Sequence, residues 1–227
     1  MLGSARSVLM KKPGVTLPNT LLASYSFSEG SGTTTADASG HGHTLTLNSA
    51  TWATGHTGGG ISNITTSQGA GAAFTAPTAA ITAMAWIKPL SLVSGHTYLA
   101  MGFIDNGGNT DVAIFTQRGD FGTADILQCD LRIAGTLRAI YGPALTVGTW
   151  THVAVTFNGS TISLYLNGSL YTSSSFSGTL GTGDRITVAG TDPVNSYDSE
   201  VTADDVRVFS TALTAAEVSA AMSTPVA

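Results

Sequence analysis

Thr149-Trp150-Thr151-His152-Val153-Ala154-Val155-Thr156-Phe157-Asn158-Gly159-Ser160-Thr161-Ile162-Ser163-Leu164-Tyr165-Leu166-Asn167-Gly168 decides the fold. Two β-rich runs flank Asn158-Gly159, a dipeptide that favours tight hairpin turns. An even loop centred there sets Val155 opposite Ile162 and Val153 opposite Leu164, four branched aliphatics on one face. The other face then carries Trp150, His152, Ala154, Ser163 and Tyr165, with His152 opposite Tyr165. A slip of one residue would send the aliphatics to the wrong side, so the faces are strongly specified. Asn167-Gly168 offers a second turn into Ser169 to Ser174. The stretch reads as a three-strand meander at the centre of an antiparallel sheet.

Composition agrees with that reading. The chain has 227 residues, only 10% of them charged, with 27 glycines and a net charge of −5. Such scarcity of charge suits tightly turned β-structure with a hydroxyl-rich exterior rather than a solvated helical protein. The nine Lys and Arg form no cluster, which excludes a nucleic-acid footprint. No apolar run approaches the length of a membrane span. Cys129 is alone and shares parity with Leu127, Leu131 and Ile133, so it reads as a small buried hydrophobe.

Outward from the meander, the same alternation predicts strands at Leu21–Ser28, Thr44–Leu47, Ile61–Thr65, Ala72–Thr75, Ile81–Lys88, Tyr98–Phe103, Asp111–Thr116, Asp125–Ile133, Thr136–Tyr141, Arg185–Ala189 and Val201–Phe209. On the last of these, Val206 and Val208 share a face with Asp204. A loop is expected from Gly190 to Ser199. Thr214-Ala215-Ala216-Glu217 is a capping box opening a short helix to about Met222. Residues 1–20 form an N-terminal arm with Pro13 and Pro18, and residues 21–227 form one domain. Met1 to Lys12 lack a continuous apolar h-region, so no signal peptide is seen. Many short strands, Gly-rich turns and one small helix predict an all-β fold, a two-sheet antiparallel jelly-roll sandwich with one short C-terminal helix.

Four stretches resemble the LamG-like jelly-roll family of the concanavalin A-like lectin and glucanase superfamily. They are Tyr25 to Gly42, Ile81 to Pro89, Trp150 to Gly168, and Ala203 to Phe209 with Ala212-Leu213-Thr214. In related sandwiches a calcium sits where the first loop meets the last strand. The resemblance therefore implies a Ca²⁺ site formed by Asp204, by carbonyls near Gly30 and Gly32, and by Asp37 as a second carboxylate. The alternative is that Asp204 only accepts hydrogen bonds from backbone amides of that loop. The segment Ile61 to Gly69 departs from the family pattern in having no carboxylate.

Catalysis finds no support in the residues. The three glutamates, Glu29, Glu200 and Glu217, fall in a turn, a loop and a helix start, whereas retaining glycosidases need two carboxyls about 5 Å apart. Asp204 and Asp205 are adjacent on a strand and are expected to face opposite ways. His41-Gly42-His43 has no third ligand in view and reads as a turn, not a zinc pair. His152, Tyr165 and Trp150 are the ligand-binding candidates, lining a concave surface, with second-layer packing as the competing reading.

These observations lead to a non-catalytic binding or adhesion module. The expected setting is an accessory bacteriophage virion protein, a capsid decoration or minor tail protein with glycan binding, on a virion or extracellular surface. Its partners would be other virion or surface proteins through residues 1–20, a glycan, and further copies of the chain. A secreted or cell-surface carbohydrate-binding lectin-like domain is the alternative, and a glycoside hydrolase ranks below both.

Overall fold

A computed structural model describes residues 15–64, 69–92, 97–105, 108–118, 126–190, 199–224 and 226. Most of the expected arm and the loop Gly190 to Ser199 lie outside the described residues.

The first strands in chain order are β1 Leu21–Tyr25, β2 Thr34–Thr35, β3 Leu45–Leu47, β4 Thr51–Thr54, β5 Gly59–Asn63 and β6 Ala70–Ala73. The longer ones follow: β7 Ile81–Pro89, β8 Thr97–Ile104, β9 Thr110–Arg118, β10 Gln128–Ile133 and β11 Thr136–Tyr141. The chain continues with β12 Thr151–Phe157, β13 Thr161–Leu166, β14 Ser169–Ser175, β15 Arg185–Val188, β16 Val201–Phe209 and helix α1 Ala215–Met222. Two eight-stranded antiparallel sheets result. One runs β14-β13-β12-β7-β16-β5-β4 with β1 also on β16; the other runs β11-β10-β9-β8-β15-β6-β3-β2. This is the jelly-roll sandwich expected from the alternation.

The core lies between the sheets, because each strand turns its alternate apolar residues inward. Val153, Val155, Ile162 and Leu164 are all fully buried there, with Ile81, Ala83, Ala85 and Ile87 of β7 beside them. Cys129 joins the same core, and burial pushes its thiol pKa far up. Tyr25 pairs with Val206, so the two ends of the domain meet.

Three sequence-based expectations are corrected by the pairing. The meander lies at one edge of its sheet, not the centre, where β7 and β16 sit. Its outer strand β14 is rich in Ser and leaves Leu170 53% and Tyr171 51% exposed, which suits an edge. The hairpin register also differs by two: Val155 pairs with Leu164, Val153 with Leu166, and Phe157 with Ile162. Asn158 causes this. Its Oδ1 accepts from the amides of Ser160 and Thr161 at 3.0 and 2.9 Å, fixing a loop that closes on Phe157. A two-residue shift leaves every side chain on its expected face, so alternation could not discriminate. Consequently Tyr165 faces Ala154, and His152 pairs with Trp86 of β7.

The third correction concerns β16. A bulge between Asp204 and Arg207 sets two residues of β16, Asp205 and Val206, against Ala85 alone, with Asp205 at φ +51°. Val206 and Val208 therefore enter the core with Val201 and Ala203, whereas Asp204 points to the outer face. Asp205 is on that outer face too, beside His152 and Arg207, so the two carboxylates do not face opposite ways.

Helix α1 starts at the expected capping box. The Thr214 amide donates to Glu217 Oε2 at 2.8 Å, and the Glu217 amide donates to Thr214 Oγ1 at 3.4 Å. Its Val218 and Ala221 cover Met84, Ala154, Tyr165, Phe209 and Leu213 on the outer face of the first sheet, with Leu17 and Leu21 packed alongside. Thr20 adds a hydrogen bond from the Ser210 amide at 2.9 Å, so residues 17–21 rest on their own domain. No helix among the described residues is long and apolar enough to cross a membrane.

Candidate functional site

Helix α1 covers only part of that outer face. Beyond it, β7 presents Trp86 and Lys88, both half-buried, and the chain just before β12 presents Trp150, also half-buried. In the cross-strand row His152–Trp86–Asp204, Trp86 is flanked by a residue of β12 and one of β16. The same register, continued one step, brings Trp150 beside Lys88, whose Nζ lies 4.9 Å from the indole centroid.

A fourth residue arrives from the β4–β5 hairpin. Its loop, Gly55 to Gly58, folds onto Asp204, and exposed His56 lies flat on Trp86 with ring centroids 3.5 Å apart and planes 7° from parallel. His56 also meets Trp150 edge-on at 6.0 Å. Asp204 is the anchor: Oδ2 accepts from the Thr57 amide at 2.9 Å, Oδ1 from its neighbour Asp205 at 2.6 Å, and the His56 amide contributes as well. Burial raises the Asp204 pKa to about 6, with the Thr57 amide opposing and the Asp205 charge adding to the rise. The hairpin can approach this closely because of its glycines. A Cβ on Gly55 would lie 1.9 Å from the Gly59 carbonyl oxygen, and one on Gly59 would lie 2.0 Å from the Phe27 oxygen.

The expected ligand residues separate. Trp150 is at the edge of the patch and accessible. His152 is 2% exposed and Tyr165 7% exposed, and both lie in the packing layer that Trp86 and α1 cover. Burial, then the charges of Arg207 and His56, lower the His152 pKa to about 3, and its buried Nδ1 has no hydrogen-bond partner. Sequence reasoning missed His56, Lys88 and the exposed edge of Trp86. Nothing local ties residue 56 to residue 86.

The carboxylates expected to hold calcium, Asp204 and Asp37, each accept hydrogen bonds from backbone amides. Asp37 accepts from the amides of Ser24 at 3.0 Å, Ser39 at 2.9 Å and His43 at 3.1 Å. Burial pushes its carboxyl up, but those bonds and the Ser39 hydroxyl hold it below its ordinary range. Gly30 and Gly32 supply left-handed turns at φ +64° and +88°, and the Gly32 carbonyl accepts from Trp52 Nε1 at 2.8 Å. Among the described residues no three His, Cys, Asp or Glu side chains converge as metal ligands. The alternative reading of Asp204, as an acceptor of loop amides, holds for a different loop, 55–58 rather than 30–32.

The patch is therefore a shallow aromatic surface edged by donors. Among the described residues neither Trp86 Nε1 nor Trp150 Nε1 has a protein hydrogen-bond partner, nor is either a buried unsatisfied atom. Half-buried rings with free N–H edges and an ammonium suit a ligand with an apolar face and acceptor groups.

A family model described as the concanavalin A-like lectin/glucanases superfamily matches residues 57–219. No curated protein is significantly similar in sequence. Among solved structures, the binding domain of Paraclostridial mosquitocidal protein 1 matches with TM-score 0.67 and 17% identity, covering 90% of this chain and 52% of that one. The botulinum neurotoxin serotype D ligand-binding domain, solved with N-acetylneuraminic acid, matches with TM-score 0.68 and 16% identity, over 90% and 50%. This chain thus spans about half the length of either toxin domain. Domain 4 of an extracellular arabinanase from Geobacillus stearothermophilus, solved with arabinotriose, matches with TM-score 0.62 and 20% identity, over 89% and 98%.

Proposed function

We propose a non-catalytic, glycan-binding role for this chain, which belongs to the concanavalin A-like lectin/glucanases superfamily. The observation that carries the proposal is the partly exposed Trp86–His56–Trp150–Lys88 patch. A pyranose presents an apolar face that packs on an indole and hydroxyls that accept from indole N–H and ammonium donors. Two structures of the same fold were solved with saccharides, arabinotriose and N-acetylneuraminic acid, which adds support for a sugar as the ligand. The non-catalytic part rests on the placement of carboxylates. Glu29 is occupied by Thr35 Oγ1 and the Ala36 amide, and Glu217 by the helix cap.

A glycan array tests the reading directly. Wild-type protein should bind a defined subset of glycans, and Trp150→Ala should weaken that binding at least tenfold while keeping the melting temperature. Absence of binding to any glycan, or binding indifferent to Trp150, overturns it.

The finer reading, an accessory bacteriophage virion protein on an extracellular surface, draws its support from the sequence. It predicts that the chain is recovered stoichiometrically with purified particles, and absence from them would end it.

A further inference from the structure

A second opening lies on the opposite side of the sandwich, on the outer face of the β11–β2 sheet. It is a cleft of about 470 Å³ lined by Gly42, His43, Thr44, Thr46, Asn48, Gly71, Ala72, Ala73 and Arg185, none of which belongs to the tryptophan patch. Its origin is a missing side chain. β6 runs between β3 and β15, with Thr46 paired to Gly71 and Arg185 paired to Ala73. Gly71 and Ala73 give a low floor beside Thr44, Thr46 and Asn48, and the Arg185 side chain reaches across it, its Nη1 3.6 Å from where a Gly71 Cβ would sit.

The wall at His43 is held rigidly. Its amide donates to Asp37 Oδ2 at 3.1 Å, and its carbonyl accepts from the Tyr25 hydroxyl at 2.7 Å. Its ring packs edge-on against Phe74 at 4.9 Å, and Nδ1 contacts the Ala73 carbonyl oxygen at 3.1 Å. A carbonyl can only accept, so Nδ1 carries the proton and Nε2 is the ring atom left for a ligand. This gives the His41-Gly42-His43 motif a role other than metal ligation: one imidazole is locked in place and tautomer.

The cleft is polar and open to solvent. Arg185, Thr44, Thr46 and Asn48 are exposed. Among the described residues their side chains have no hydrogen-bond partner, and the Arg185 guanidinium has no carboxylate partner. A guanidinium presents a planar fork of donors that matches a carboxylate or sulfate in two parallel bonds. Hydroxyl and amide side chains beside it, above a floor without bulk, suit sugar hydroxyls.

We propose that this cleft is a second ligand site, for an anionic, hydroxyl-rich saccharide. Arg185 holds its carboxylate or sulfate, and Thr44, Thr46, Asn48 and His43 Nε2 hold its hydroxyls. With one site on each outer face, the chain bridges two glycans, and linked binding raises avidity without new contacts.

Isothermal titration of the full chain with trigalacturonate, a heparin-derived sulfated tetrasaccharide and neutral maltotriose tests this. At least one of the two anions should bind saturably, and which one binds separates a carboxylate ligand from a sulfate one. Arg185→Gln should weaken that binding at least tenfold, and Ala73→Phe, which fills the floor, should abolish it. Trp150→Ala should leave it unchanged. Saturable binding of neither anion, equal affinity for maltotriose, or insensitivity to Arg185→Gln overturns the second site. Loss in Trp150→Ala also overturns it, and assigns the binding to the tryptophan patch. Failure here with Trp150-dependent glycan binding intact leaves the first site standing.

Discussion

His56 lies parallel to Trp86 at 3.5 Å because Asp204, on the neighbouring strand, holds the amides of the loop that carries it. One buried carboxylate thus shapes an exposed aromatic surface. Replacing His56 with Ala should leave the fold intact and bare one face of Trp86. Acrylamide quenching of tryptophan emission should rise, and unchanged quenching would show that the stack does not persist in solution.

Gly55→Ala attacks the same surface from the backbone. The new methyl would meet the Gly59 carbonyl oxygen at 1.9 Å and Asp204 Oδ2 at 2.7 Å, so the hairpin must move. Strain of this kind costs on the order of 1–3 kcal/mol. Urea unfolding should show that loss together with weaker glycan binding. Stability and binding equal to wild type would contradict the close approach.

Asp204 makes stability depend on pH in a specific direction. Its folded pKa, about 6, exceeds the ordinary value of 3.8, so the native state binds the extra proton between those values. Its contribution to stability is therefore favourable at low pH and declines as pH rises from about 4 to 6. The stability difference between wild type and Asp204→Asn should accordingly move in favour of the variant between pH 4 and pH 7. A constant difference across that range refutes the linkage.

His152 acts in the opposite sense. It is buried beside Trp86, with Arg207 of β16 and His56 of the hairpin loop as neighbours, and its folded pKa falls to about 3 from 6.5, chiefly through burial. Stability contributed by the neutral ring is present above pH 6.5 and lost as pH falls toward 3. A shift of that size corresponds to on the order of 5 kcal/mol over the whole window. His152→Leu should flatten the acid limb of the melting-temperature curve. An acid limb as steep as wild type would place the acid sensitivity elsewhere.

Thr214→Ala removes the cap that starts the helix over Tyr165. The expected loss is about 1 kcal/mol, with faster hydrogen exchange in Ala215–Met222 and in β13 beneath it. Unchanged exchange in both segments would mean that the capping box does not hold the cover in place.

Alternation made the two sheet faces legible residue by residue. Val153, Val155, Ile162, Leu164, Ile81, Ala85 and Cys129 are all buried where period two puts them, and the capping box located the helix. The strands Thr34–Thr35 and Thr51–Thr54 were not anticipated, since short Thr-rich segments among glycines carry no apolar periodicity. Of the expected ligand residues, Trp150 reaches an open surface, while burial beneath Trp86 and α1 removes His152 and Tyr165 from it.

What the sequence determined by itself is therefore parity: which side chains seek the core. Parity survives any even slip, so it could not choose between Val155 opposite Ile162 and the observed Val155 opposite Leu164. A local turn, Asn158 accepting from the amides of Ser160 and Thr161, chose the register. Tertiary structure decided the bulge that carries Val206 and Val208 into the core while Asp204 faces out, and the meeting of His56 with Trp86. That meeting depends on a hydrogen bond that local preference does not encode, Thr57 to Asp204 across 147 residues. The aromatic surface is made by that long-range bond, whereas the core that supports it is written in the pattern.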